Sequence, residues 1–134
     1  MLGEMVSELQ GKVSSQRVIV KRGRKTMVET SEKMRGEFLG TKVKVVLTYL
    51  SDMRPNGVLY AYGNGIVMSE GGDGATFRAQ GVGKLTGQNT VSIRGSVFYE
   101  TASRKFDKLN YMATVFEYEM DEDENTVTKT WEWK

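Results

Sequence analysis

The sequence predicts an all-β protein, an eight-stranded antiparallel up-and-down β-barrel. Three observations predict it. Runs of alternating or β-branched residues recur along almost all of the 134-residue chain. Short stretches of turn chemistry separate them. Helix signals are weak, because 15 glycines and many β-branched residues stand against long helices. Strands joined by short turns make an antiparallel meander. Eight strands laid open would expose two edges, and closure into a barrel removes them. A two-sheet sandwich is the alternative. The chain reads as one domain, residues 1–134, long enough to bury a core without metal or cross-links.

The first run, residues 4–21, ends in Val18-Ile19-Val20 and has a short helical or irregular start as an alternative. The second is 26–38 and the third 41–51, where Val43, Val45, Leu47 and Tyr49 share a face. A turn over Asp52 to Gly57 follows, with the one proline and an Asn-Gly pair. The fourth run, 58–69, closes on Glu70-Gly71-Gly72-Asp73-Gly74, the strongest hairpin signal in the chain. The fifth, 75–86, turns at Gly87-Gln88-Asn89, and the sixth, 90–101, turns near Ser103-Arg104. The seventh, 105–120, turns at Asp121 to Asn125, and the eighth, 126–133, ends in Trp131-Glu132-Trp133.

The fourth and fifth runs share a pattern at an offset of 18: Leu59, Ala61, Gly63, Gly65 and Val67 match Phe77, Ala79, Gly81, Gly83 and Leu85. A hairpin centred near Gly72 sets Gly63 opposite Gly81. A turn centred near Gln88 sets Gly95 beside Gly81, and one near Ser103 sets Tyr111 beside Gly95. The expected result is a glycine line, Gly63–Gly81–Gly95, with an aromatic at its end. Such a line lets coiled strands bend, and it also leaves room for a ligand inside the barrel. Phe77, Tyr99 and Tyr111 join these glycines as candidate ligand-binding residues. The same parity puts Leu85, Val91, Ile93, Val97, Leu109, Ala113 and Val115 on the inner wall. The other face of the fourth and seventh runs carries Tyr60, Tyr62, Ile66, Met68, Met112, Phe116 and Tyr118. Those are too apolar for plain exposure, so an interface is expected to cover them, and hence a homo-oligomer; a failure of the parity there is the alternative.

The chain has no cysteine and no histidine. Disulfides, a cysteine nucleophile, a serine–histidine triad, a His/Cys zinc site and His-ligated haem are therefore excluded within one chain. Catalysis would rest on carboxylates, Lys or Tyr. Glu117 and Glu119 fall on the inner-face parity between aromatic residues, where burial would raise a carboxyl pKa, and they are the candidate catalytic groups. Ordinary exposure near a strand end is the alternative. Glu100 and Asp107 are weaker candidates.

Net charge is +2, with +5 on residues 1–60 and −3 on 61–134. The segment Lys21-Arg22-Gly23-Arg24-Lys25 reads as a solvated loop or as a phosphate contact. Nucleic acid is not expected as a partner, since no strongly basic surface with interleaved aromatics appears. No cofactor is expected. Gly63-Asn64-Gly65 and Gly81-Val82-Gly83 do not open a helix in a βαβ unit, so they are not a dinucleotide fingerprint. No metal site is expected, because Asp121-Glu122-Asp123-Glu124 lacks EF-hand spacing. No membrane segment or secretory signal is read, so the expected location is cytoplasmic. Eight methionines suit irregular cavities and interfaces as well as ordinary core filling.

A resemblance adds to this. Gly57-Val58-Leu59-Tyr60, Gln80-Gly81-Val82-Gly83, Arg94-Gly95-Ser96, Thr101-Ala102-Ser103, Phe116-Glu117-Tyr118-Glu119 and Trp131-Glu132-Trp133 resemble an uncharacterised group of small prokaryotic proteins. That group is similar in fold to allene oxide cyclase and the lipocalin-like (calycin-type) barrels. The resemblance covers about residues 40–134. It implies an eight-stranded barrel, often oligomeric, with a central apolar cavity, and it carries no catalytic residue onto this chain. The leading functional expectation is binding of a small apolar or amphipathic molecule in the barrel. The alternatives are an isomerase- or cyclase-type enzyme, and a structural protein with a filled barrel.

Overall fold

The computed structural model describes every residue except Arg22, which leaves one member of the basic segment outside the described residues. Eight strands close in sequence order, each antiparallel to its neighbours: β1 Leu2–Lys21, β2 Lys25–Phe38, β3 Thr41–Met53, β4 Leu59–Ser69, β5 Gly74–Gly87, β6 Thr90–Glu100, β7 Thr114–Met120 and β8 Asn125–Trp133. The ring closes where β1 pairs with β8, with Ser7 opposite Thr130, Leu9 opposite Thr128 and Gly11 opposite Thr126. No helix among the described residues is long and apolar enough to cross a membrane.

Turn chemistry sets most of the boundaries. Between β2 and β3 the chain reverses on Leu39-Gly40, both left-handed at φ 49° and 77°. A two-residue turn of that kind matches the twist of its flanking strands. Asn89 takes φ 61° between β5 and β6. A bulge between Val13 and Ser15 bends β1, and beyond it β1 pairs with β2 alone, from Ser15 to Lys21. This hairpin carries Val18 and Val20 in the open, at 70% and 68% exposure.

The sequence reading fails at the seventh strand. Its first half is a 3-10 helix, Arg104–Tyr111, and β7 begins only at Thr114. Phe106 and Leu109, three apart, lie on one side of that helix and are fully buried. Phe106 meets the Phe38 ring edge-on at 5.3 Å, so the helix plugs one end of the barrel. Asn110 ties the helix back by accepting from the Thr101 amide at 2.9 Å and donating to its carbonyl at 3.0 Å.

The missed helix reverses the predicted parity of β7. Thr114, Phe116, Tyr118 and Met120 pair in register with the inward residues Val97, Gly95, Ile93 and Val91 of β6. Glu117 and Glu119 therefore stand on the outer face, half exposed, where Arg94 Nη1 meets Glu119 Oε1 at 2.7 Å and Arg94 Nε lies 3.8 Å from Glu117 Oε2. They are not inner-wall residues. Phe116 and Tyr118 likewise leave the expected outer face, and Val115 joins it opposite Ser96. Ala113 is exposed and Leu85, on the β5 tail, is open to solvent.

Candidate functional site

The register decides which side chains meet inside. Val43, Val45, Leu47 and Tyr49 of β3 share a face as expected, and it is the inner one, opposite Gly36, Met34, Glu32 and Thr30 of β2. On the other edge of β3 they meet Ser69, Val67, Gly65 and Gly63 of β4. The β4–β5 hairpin is centred on residue 71, so Gly63 faces Ala79 and Ala61 faces Gly81. That is a shift of two residues from the expected pairing, which keeps every side chain on its predicted face. Gly81 does sit beside Gly95. Gly95 meets Phe116 rather than Tyr111, which rides on the 3-10 helix at 81% exposure.

The glycines answer mainly to strand geometry. A Cβ on Gly95 would stand 2.0 Å from the Gln80 carbonyl oxygen, and one on Gly81 would stand 2.6 Å from that of Arg94. Neighbouring backbone already fills those positions. Gly63, Phe77 and Tyr99, by contrast, line an internal cavity of about 80 Å³. The cavity touches both buried layers of the barrel, the helix-plugged one through Leu9 and Phe38 and the other through Tyr49 and Ile93. Ala61, Gly63 and Ala79 wall it on β4 and β5, while Ser7, Thr128 and Thr130 wall it on β1 and β8, across the ring. Small residues on both sides leave the space. An engineered apolar cavity of about 150 Å³ accepts benzene. This one is about half that size, room for a few heavy atoms but not for an acyl chain.

A buried acid stands beside it. Glu32 is 0% exposed. Its Oε2 accepts a 2.7 Å hydrogen bond from the Tyr118 hydroxyl, and its Oε1 accepts one of 2.7 Å from Thr126 Oγ1. The Tyr118 hydroxyl also meets that of Tyr49 at 3.1 Å, with the rings edge-to-face at 5.7 Å. Thr30, the cross-strand neighbour of Tyr49, turns its hydroxyl toward that phenol and receives Gln16 Nε2 at 3.2 Å. Burial raises the Glu32 pKa above its ordinary value, and the two hydrogen bonds offset part of the rise. Burial also raises the Tyr118 and Tyr49 phenols, and the nearby Glu32 charge adds to it, so both stay protonated. Tyr49 and Tyr118 line the cavity, and Glu32 reaches it only through Tyr118.

Two cavity hydroxyls are unsatisfied. Ser7 Oγ and Thr128 Oγ1 are buried and complete no hydrogen bond among the described residues. The Tyr99 phenol is raised by burial and eased back by the nearby Thr130 and Ser7 hydroxyls, although Ser7 Oγ completes no bond. Among the described residues no group of three or more acidic side chains is placed to hold a metal. In the basic segment, Lys25 is ion-paired with the buried carboxyl of Asp52.

Sequence reasoning missed Glu32. The signal was present in β2, where Met27, Glu29, Ser31, Lys33, Arg35 and Glu37 form one parity and Val28, Thr30, Glu32, Met34, Gly36 and Phe38 the other. The second parity is the core-facing one, and Glu32 is its one charged member.

Solved structures give the class. The chain is similar to a protein of unknown function from Clostridium acetobutylicum, with TM-score 0.76, 19% identity and 98% of each chain covered. It is similar to a conserved protein of unknown function from Rhodopseudomonas palustris, with TM-score 0.79, 11% identity and 99% of each chain covered. It is also similar to a β-barrel-like protein from Acinetobacter baumannii, with TM-score 0.82 and 11% identity, over 100% of this chain and 96% of that one. No family model matches the chain, and no curated protein matches it. At these identities the likeness is one of fold. The protein is a closed eight-stranded antiparallel β-barrel with a cavity among its inward side chains.

Proposed function

We propose that the protein is a lipocalin-like barrel, related in architecture to allene oxide cyclase, that binds a small amphipathic molecule in its central cavity. One observation carries this reading: a carbon-walled cavity lined in part by Ser7 and Thr128, whose buried hydroxyls complete no hydrogen bond among the described residues. A barrel closed only for stability would fill that space or pair those groups. Saturation-transfer NMR with a panel of small uncharged alcohols, ketones and ethers tests it. Saturable binding of at least one member is expected, and none across the panel contradicts the reading.

A second reading is favoured by Glu32 and Tyr118. A buried carboxyl one phenol away from a cavity suits proton transfer in an isomerase-type reaction. It predicts deuterium uptake next to the carbonyl of a bound small ketone in heavy water, abolished by Glu32→Gln. No uptake above background would exclude it.

The homo-oligomer also stands as a proposal. It rests on the outer face of β3 to β6, where Val46 is paired with Ile66 and where Met68 and Phe98 are exposed. Light scattering at micromolar concentration is expected to give at least a dimer, and a clean monomer contradicts it.

A further inference from the structure

The hydroxyls on the β1–β8 wall define the chemistry of the ligand. Ser7 and Thr128 are diagonal neighbours there, since Ser7 pairs with Thr130 and Leu9 with Thr128. Both line the cavity, and both have oxygens that are buried without a hydrogen-bond partner among the described residues. Ser7 is 2% exposed as a residue, so bulk solvent does not satisfy it. A hydroxyl both donates and accepts, so it serves an alcohol or a carbonyl equally. Among the described residues no Lys or Arg lines the cavity, so a carboxylate or phosphate entering it finds no counter-charge. The nearby carboxyl of Glu32 accepts from the hydroxyls of Tyr118 and Thr126, one at each oxygen. Glu32 does not line the cavity, and among the described residues no other carboxylate does, so an ammonium group inside it meets no counter-charge. The facing wall, Ala61, Gly63 and Ala79, offers only small apolar surface to the rest of the molecule.

We propose that Ser7 and Thr128 form a subsite for the single polar group of a small uncharged molecule, an alcohol, ketone or aldehyde whose apolar body lies against the β4–β5 wall. This rests on the ligand-binding reading above and adds to it the polar group, its charge and its place.

Four probes of similar size test it by NMR titration of the full chain: 2-butanone, 2-butanol, isobutyrate and isobutylammonium. The variants are Thr128→Val, which keeps the shape and removes the hydroxyl, and Ser7→Ala. The two uncharged probes are expected to bind saturably, and the two ions are not. Each variant is expected to weaken the uncharged probes about fivefold, the value of one hydrogen bond. Thermal midpoints of the ligand-free variants are expected to hold or rise, because a hydroxyl with no protein partner has been removed. Variants that bind as tightly as the wild type overturn the subsite and leave the binding reading standing; the hydroxyls then hold water alone. Variants whose ligand-free midpoints fall show that the hydroxyls serve the fold, which also overturns it. Tight binding of either ion overturns the assignment of charge. A wild-type protein that binds none of the four sinks the ligand-binding reading itself, and the subsite with it.

Discussion

Tyr118 donates a 2.7 Å hydrogen bond to Oε2 of Glu32, and among the described residues no cation pairs with that carboxyl. The acid is held by hydroxyls alone, from β7 and β8, inside a wall of carbon.

The pH dependence of stability follows from this. The Glu32 pKa is raised above 4.5 in the folded state, chiefly by burial. The native protein therefore holds a proton that the unfolded chain has already released. Stability from this group is full below the unfolded value and falls as pH rises toward the folded one. Glu32→Gln removes the effect. Across that window the variant should gain on the wild type by about 1.4 kcal/mol per pH unit. Urea unfolding of both proteins from pH 4 to pH 8 measures it. A wild type that instead gains on the variant as pH rises would mean the carboxylate is stabilised as an ion.

Tyr118→Phe should cost more than Tyr49→Phe. The first leaves the buried Glu32 Oε2 without its donor, a loss of about 1–3 kcal/mol. The second removes only a contact between two phenols, worth about 0.5–1.5 kcal/mol. Denaturant midpoints compared at one pH check the order.

Gly95→Ala should destabilise the barrel by about 3 kcal/mol, because its Cβ would meet the Gln80 carbonyl at 2.0 Å and the Gly81 Cα at 2.6 Å. Gly74→Ala meets nothing closer than 3.3 Å and serves as the comparison, with a small effect expected. Equal midpoints for the two variants would contradict the close approach of β5 and β6.

Phe106→Ala should cost about 3–5 kcal/mol, since the ring is fully buried against Phe38. It should also open the plugged end. Faster amide exchange at Val6, Phe38 and Val45 than in the wild type would report that opening; unchanged exchange would mean the helix is not a plug.

The strand order, the turn at Asn89 and the pairing of Gly81 with Gly95 all follow from alternation and turn chemistry, which are local signals. The segment from Arg104 to Tyr111 carries Phe106 and Leu109 at helical spacing, a weak signal in eight residues, and reading it as strand reversed β7. That one error moved Glu117 and Glu119 inside and Tyr118 outside. Glu32 was legible in the alternation of β2 but was not sought there. The Ser7–Thr128 wall was not legible at all. Closure of the barrel was expected, but the register that sets Ser7 beside Thr128 was not, because no turn joins β1 to β8 to fix it.

The claim that the cavity takes a ligand is tested most directly by methyl NMR spectra of the wild-type protein titrated with 2-butanone. Saturable shifts are expected at Leu47, Ile93 and Val97, which line the cavity, and none at the exposed Val18, Val20 and Val46. Shifts confined to the exposed methyls, or no saturable shift at all, would contradict it.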